Sequence, residues 1–166
     1  KEVATQGTPL LGICLGMQLS VIEYARNPLG YKDANSTEFD PNCSVPIVEQ
    51  LDGQQPVNEF SGAMRLGAYP CKLASGTISR EVYDEDLVSE RHRHKYEVNT
   101  EYREELEKGG LKVAGTSPDN KLIESIENPS LKWFVAVQYH PEFKSRPNRP
   151  HPLFKDFVRA SVENLK

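Results

Sequence analysis

Short apolar runs alternate with helix-spaced apolar positions along the 166 residues, a pattern that predicts an α/β layered domain. Residues 9–14 are apolar or small at consecutive positions, as expected of a strand covered on both faces. Leu15, Leu19, Ile22 and Tyr24-Ala25 then recur near helical spacing and stop at Asn27-Pro28, which predicts a helix over 17–26. Residues 29–62 are rich in Pro, Asn, Asp, Gly and Gln, with one apolar patch over 45–48, and read as a long connection. Strands are predicted over 64–73, 93–98, 111–116, 122–126 and 133–139. Further helices are predicted over 101–108, stopped by Gly109-Gly110, and over 153–165. The chain carries neither an internal repeat nor a low-complexity segment.

Composition narrows this picture modestly. A hydrophobic content of 37% at this length supports one domain with a real core. A net charge of -4 gives no general attraction to nucleic acid or to an anionic membrane, so small neutral or zwitterionic substrates fit better. Three widely spaced cysteines match neither a zinc site nor a secreted disulfide scaffold, which suggests a reducing cytoplasm. No apolar run approaches the ~20 residues of a membrane span. The chain opens on Lys1 rather than Met, and the expectation is an excerpt of something longer.

The chemistry concentrates at two places. Gly12-Ile13-Cys14-Leu15-Gly16 lies where the first predicted strand gives way to the first helix. A sharp strand-to-helix turn flanked by small residues exposes the side chain at its apex and leaves the next backbone N–H free to donate. A cysteine there is a candidate nucleophile, because the thiolate is favoured by a helix N-terminus and by a nearby imidazolium. His140-Pro141-Glu142 follows the last predicted strand, at the strand end where open α/β sheets place ligands and catalytic groups. If the two strands are neighbours, His140 can serve as base and Glu142 can hold its tautomer, while Pro141 restricts His140 to extended backbone. The plain alternatives are a small buried cysteine at a tight turn, a surface histidine with a solvated glutamate, and a solvated basic strand face over 91–95. His92 and His94 lack further Cys or Asp partners and do not read as metal ligands.

Gly12 through Gln18, together with His140-Pro141-Glu142, resembles the class I, or triad, glutamine amidotransferases. Further stretches resemble the glutaminase domains of the CTP synthase family: Asp33-Ala34-Asn35-Ser36-Thr37-Glu38-Phe39-Asp40-Pro41, Met64-Arg65-Leu66-Gly67, Glu90-Arg91-His92-Arg93-His94-Lys95-Tyr96-Glu97-Val98-Asn99, and Ser145-Arg146-Pro147 after His140-Pro141-Glu142-Phe143. The resemblance implies an open, mostly parallel sheet flanked by helices, with its first strands missing. Residues 1–166 would be the C-terminal portion of a glutaminase domain, without the amidoligase domain or a glycine-rich loop that gives a second oxyanion donor. It implies Cys14, His140 and Glu142 as catalytic residues, and Leu15, Gly16, Met17, Gln18, Glu38 and Lys95 as glutamine-binding positions, with no metal. Leu15 matches an oxyanion N–H donor, and Lys95 stands where the family usually carries Arg. L-glutamine would be hydrolysed through a Cys thioester, and the ammonia would pass to an amidoligase domain that aminates UTP with ATP and Mg. The implied partners are that domain and further copies in a tetramer, in the cytoplasm, with no nucleic acid or membrane. The excerpt alone is expected to be a poor enzyme. The other functions considered are a free-standing γ-glutamyl hydrolase of the same fold and an inactive docking remnant.

Overall fold

A computed structural model describes residues 7–50 and 64–165. In chain order the elements are β1 (Leu10–Ile13), α1 (Leu15–Arg26), β2 (Ala34–Ser36), β3 (Val45–Gln50), β4 (Arg65–Leu73), α2 (Ile78–Tyr83), β5 (Leu87–His94), β6 (Tyr96–Val98), α3 (Arg103–Lys108), β7 (Lys112–Thr116), β8 (Ile123–Glu127), β9 (Phe134–Val137) and α4 (Pro152–Asn164). A six-stranded sheet has the order β1-β9-β8-β7-β4-β5, and a three-stranded sheet has the order β2-β3-β6.

The α/β class holds, but the expected mostly parallel pairing does not. In the larger sheet β1 and β9 run parallel, while β9/β8, β8/β7, β7/β4 and β4/β5 are antiparallel. For β7/β8 and β8/β9 the cause is connection length. Short links join β7 to β8 and β8 to β9, and a parallel pair needs a crossover of a dozen residues or more. The β1/β9 pair is parallel because the whole intervening chain lies between its strands.

Three further differences from the sequence reading are local. The connection expected over 29–62 contains β2 and β3, the latter starting on the apolar patch, and its part over 51–63 lies outside the described residues. The strand expected over 93–98 belongs to two elements, β5 in the large sheet and β6 in the small one, with Lys95 at the junction. Helix α2 was not among the predicted elements. Its N-terminus is held by Thr77, whose side chain accepts from Arg80 N, and by the buried Glu127 carboxylate, which accepts from Ile78 N and Ser79 N at 2.9 and 2.7 Å.

Apolar packing fills both faces of the large sheet. On one, Met17, Val21 and Ile22 of α1 pack with Ile47, Val48, Val113, Ile126 and Ala136. On the other, Val135, Val137 and Tyr139 pack with Leu153 and, from α2 and α4, Ile78 and Phe157. Strand β9 therefore alternates its residues between two cores, and its rigid C-terminal end delivers the residues that follow it.

Candidate active site

Cys14 sits at the apex between β1 and α1 with φ 53° and ψ -105°. A non-glycine residue in that region stores roughly 1–3 kcal/mol of strain and persists only where its surroundings over-determine it. They do so here. Cys14 N donates to Val137 O at 2.8 Å, which ties the turn to β9, and Cys14 O accepts from Met17 N and Gln18 N as the first bonds of α1. Gly12 makes the close approach possible: a Cβ there would lie 2.8 Å from Ala136 Cβ and 3.0 Å from the Gly16 carbonyl group. At Gly16 an added Cβ would meet nothing within 4 Å apart from its own helix backbone and chain neighbours, so the space over that residue is open.

Around the half-buried sulfur, burial pushes the thiol above its ordinary value, and the charges of Glu142 and Glu38 push the same way. The Leu15 backbone N–H and the Gln138 side chain donate to sulfur and oppose that rise. The net rise favours the thiol over the thiolate, so a nucleophilic role for Cys14 would call for a base.

His140 stands beyond the end of β9. Ile13 pairs with Val137 in the parallel register, so Cys14 and His140 emerge at the same end of neighbouring strands. His140 N donates to Arg91 O at 2.8 Å, and its ring stacks on Phe143 with centroids 5.1 Å apart. His140 Nδ1 lies 2.6 Å from Glu142 Oε1. A carboxylate only accepts, so Nδ1 carries a hydrogen, and in the neutral imidazole the lone pair is on Nε2. Nε2 is buried and has no hydrogen-bond partner among the described residues. The segment after this turn is anchored to β5 by Glu90, whose Oε1 accepts from Tyr83, Lys144 and His151 at 3.1, 3.2 and 3.1 Å. A cavity of about 570 Å³ lies beside that anchor.

The remaining sequence candidates fall into place unevenly. Leu15 heads α1 with its N–H on the sulfur. Met17 is fully buried in the α1 core, so only its backbone is available to a ligand. Gln18 is buried too, and its Nε2 donates to Tyr96 O at 2.8 Å and Gln138 Oε1 at 3.2 Å, which leaves its oxygen as the end a ligand could meet. Glu38 is exposed after β2, near enough for its charge to reach Cys14. Lys95 is exposed one residue before the Tyr96 carbonyl that holds Gln18. Among the described residues no group of three or more His, Cys, Asp or Glu side chains is placed to hold a metal ion, and no helix is long and apolar enough to cross a membrane.

Two groups of residues escaped the sequence reading. One is Gln138, fully buried against Cys14; its place between the apolar run that ends at Val137 and His140 was the available signal. The other is a buried ionic cluster. Arg65 bridges Glu97 at 3.3 Å and Glu124 at 2.8 Å, and His92 and His94 contact each other at 2.9 Å beside it. Burial, then the Arg65 charge, push His92 down to about 2 and His94 down to about 3, so both are neutral.

A family model described as glutamine amidotransferase class-I matches residues 1–160. The chain belongs to that family. It is 58% identical over 160 residues to a CTP synthase of Fibrobacter succinogenes, covering 95% of this chain and 28% of that protein. It is 57% identical over 163 residues to a CTP synthase of Bacillus subtilis, covering 98% of this chain and 30% of that protein. The chain thus spans under a third of the length of these curated relatives. Among solved structures, the glutaminase domain of Trypanosoma brucei CTPS with bound acivicin superposes with a TM-score of 0.90 at 38% identity, covering 97% of this chain and 62% of that one. A Thermoplasma acidophilum protein described as a putative GMP synthase component shares the fold, with a TM-score of 0.56 at 13% identity over 93% of this chain and 58% of that one. The resemblance seen in the sequence motifs is therefore borne out.

Proposed function

We propose that this chain is the glutamine-hydrolysing module of a CTP synthase. His140 Nε2 takes the Cys14 proton, and the sulfur attacks the carboxamide carbon of L-glutamine to give a tetrahedral intermediate. The Leu15 N–H meets the developing oxyanion, a donor worth about 3 kcal/mol in such a site. The proton held on His140 passes to the departing nitrogen, which leaves as ammonia, and a γ-glutamyl thioester remains. His140 then takes a proton from water, which cleaves the thioester to glutamate and restores the thiol. Glu142 keeps the imidazole in the tautomer these steps need. The open volume at Gly16 and the carboxylate of Glu38 suit the substrate's aliphatic stem and its α-ammonium group; Lys95 suits the α-carboxylate.

The observation that carries this reading is the 2.6 Å contact between His140 Nδ1 and Glu142, which leaves a buried, unpartnered Nε2 at the strand end that also carries the strained Cys14 turn. The 58% identity to a CTP synthase supports the destination of the ammonia: an amidoligase domain that aminates UTP, where ATP and Mg would act. In the intact protein, an electrophilic glutamine analogue should alkylate Cys14 and abolish glutamine-dependent CTP formation while sparing ammonia-dependent formation. Equal loss with both nitrogen donors would refute the assignment.

A further inference from the structure

We infer that Gln138 belongs to the catalytic apparatus: its carboxamide N–H donates to the Cys14 sulfur, and Gln18 is the positioning residue that fixes the direction of that carboxamide. This rests on the reading of Cys14 as nucleophile. The polarity of each amide follows from a chain of partners. Tyr96 C=O can only accept, so the Gln18 NH₂ faces it at 2.8 Å, and the second hydrogen of that NH₂ is directed to Gln138 Oε1 at 3.2 Å. With its oxygen thus used, Gln138 turns its own NH₂ to Cys14 Sγ, 3.6 Å away. Reversing Gln18 would set two oxygens against each other, first at Tyr96 and then at Gln138.

Gln138 is 0% exposed and Gln18 3% exposed, so water does not replace any contact that is lost. A backbone carbonyl on β6 therefore sets the direction of an N–H at the sulfur that follows β1. The need for that N–H is visible in its surroundings. Glu38 approaches from the turn after β2, Glu142 stands beyond β9 beside His140, and both carboxylates disfavour negative charge on sulfur. Leu15 N–H and Gln138 N–H are the donors that oppose them. A hydrogen bond to a charged group strengthens as charge develops, so the Gln138 donor favours the thiolate formed when His140 accepts the proton.

The test is the pH profile of Cys14 alkylation by iodoacetamide in the intact protein, read by peptide mass spectrometry. Gln138→Met keeps the length without the donor and should slow alkylation about tenfold at pH 7, the scale of one charged hydrogen bond, with the high-pH plateau unchanged. Gln138→Glu should move the midpoint further up. Gln18→Met should reproduce Gln138→Met, and the double variant should be no slower than Gln138→Met alone. Coincident profiles for Gln138→Met and the parent, or a fall in plateau without a shift of midpoint, would overturn the inference; additive effects in the double variant would remove the role of Gln18. Cys71 is fully buried and must stay unmodified in any folded variant. If Gln138→Met fails that control, Gln138→Asn, too short to reach the sulfur, gives the same reading. Iodoacetamide requires no glutamine, so a shifted midpoint in a protein that does not hydrolyse glutamine would support this inference while refuting the proposed function.

Discussion

Replacing Arg65 by methionine removes the guanidinium that bridges Glu97 and Glu124, while keeping much of its aliphatic volume. The three side chains are 8%, 1% and 0% exposed, so water is in no position to take over the lost contacts. Breaking a buried ion pair from one side costs about 3–5 kcal/mol, because a desolvated charge is left behind. With a urea slope of roughly 1–3 kcal/mol/M for a small domain, the unfolding midpoint of the 166-residue chain should fall by roughly 2 M at pH 8. Trp133, the chain's single tryptophan, is 3% exposed and reports the transition by fluorescence. The deficit should shrink on acidification. Burial already raises the Glu124 carboxyl in the folded state, with Arg65 pulling it back. Without Arg65 the folded variant binds a proton that the unfolded chain releases, so its stability increases as pH falls through that raised value. His92 and His94, held neutral partly by the Arg65 charge, add uptake in the same direction. A deficit below about 1 kcal/mol at pH 8, or one unchanged at pH 5.5, would show that the cluster does not hold the fold as described.

Gly12→Ala and Gly16→Ala should separate fold from function: the first forces a Cβ into Ala136 and the Gly16 backbone and should cost about 1–3 kcal/mol in urea titration. The second meets open space and should leave stability unchanged while raising KM for glutamine; a lowered kcat with KM unchanged would place Gly16 elsewhere in the reaction. Glu142→Gln should lower the glutaminase rate less than Cys14→Ala, since an orienting group is secondary to the nucleophile, and steady-state assays giving the reverse ranking would mean the roles are misassigned. In the parent chain, the depressed values of His92 and His94 mean that the unfolded state binds more protons below about pH 6.5, so stability falls on acidification there, by up to about 1.4 kcal/mol per pH unit for each histidine. His92→Asn/His94→Asn should flatten that limb of the urea-midpoint profile, and an unchanged slope would contradict the buried, neutral state.

Elements whose burial follows hydropathy were legible in the sequence. Strand β1, helix α1, β7, β9 and α4 lie within a residue or two of their expected places, because each buries apolar side chains where the pattern expects them. Strand β5 buries every second residue as cleanly as any strand here, yet the inward residues are Val88, Glu90, His92 and His94. Partners that cancel their polarity come from β4, β8 and the segment after β9, and no local window contains them. Parallel pairing was over-expected because strand direction depends on connections that the apolar pattern does not encode. At the site, Cys14, His140 and Glu142 stood out because their chemistry and strand-end positions coincide. Gln138 did not, since a glutamine at the end of an apolar run announces neither its burial nor the thiol that its amide meets.

The passage of one uninterrupted stretch from β5 into β6 has a mechanical consequence. Its Arg91 carbonyl suspends the imidazole-bearing residue, and its Tyr96 carbonyl grips the amide that leads to the sulfur. The backbone between those two carbonyls acts as a spacer bar between them. Any strain that tilts the smaller sheet against the larger one is therefore felt at both carbonyls together, and reaches the His140 backbone and the Gln18 and Gln138 amides at once.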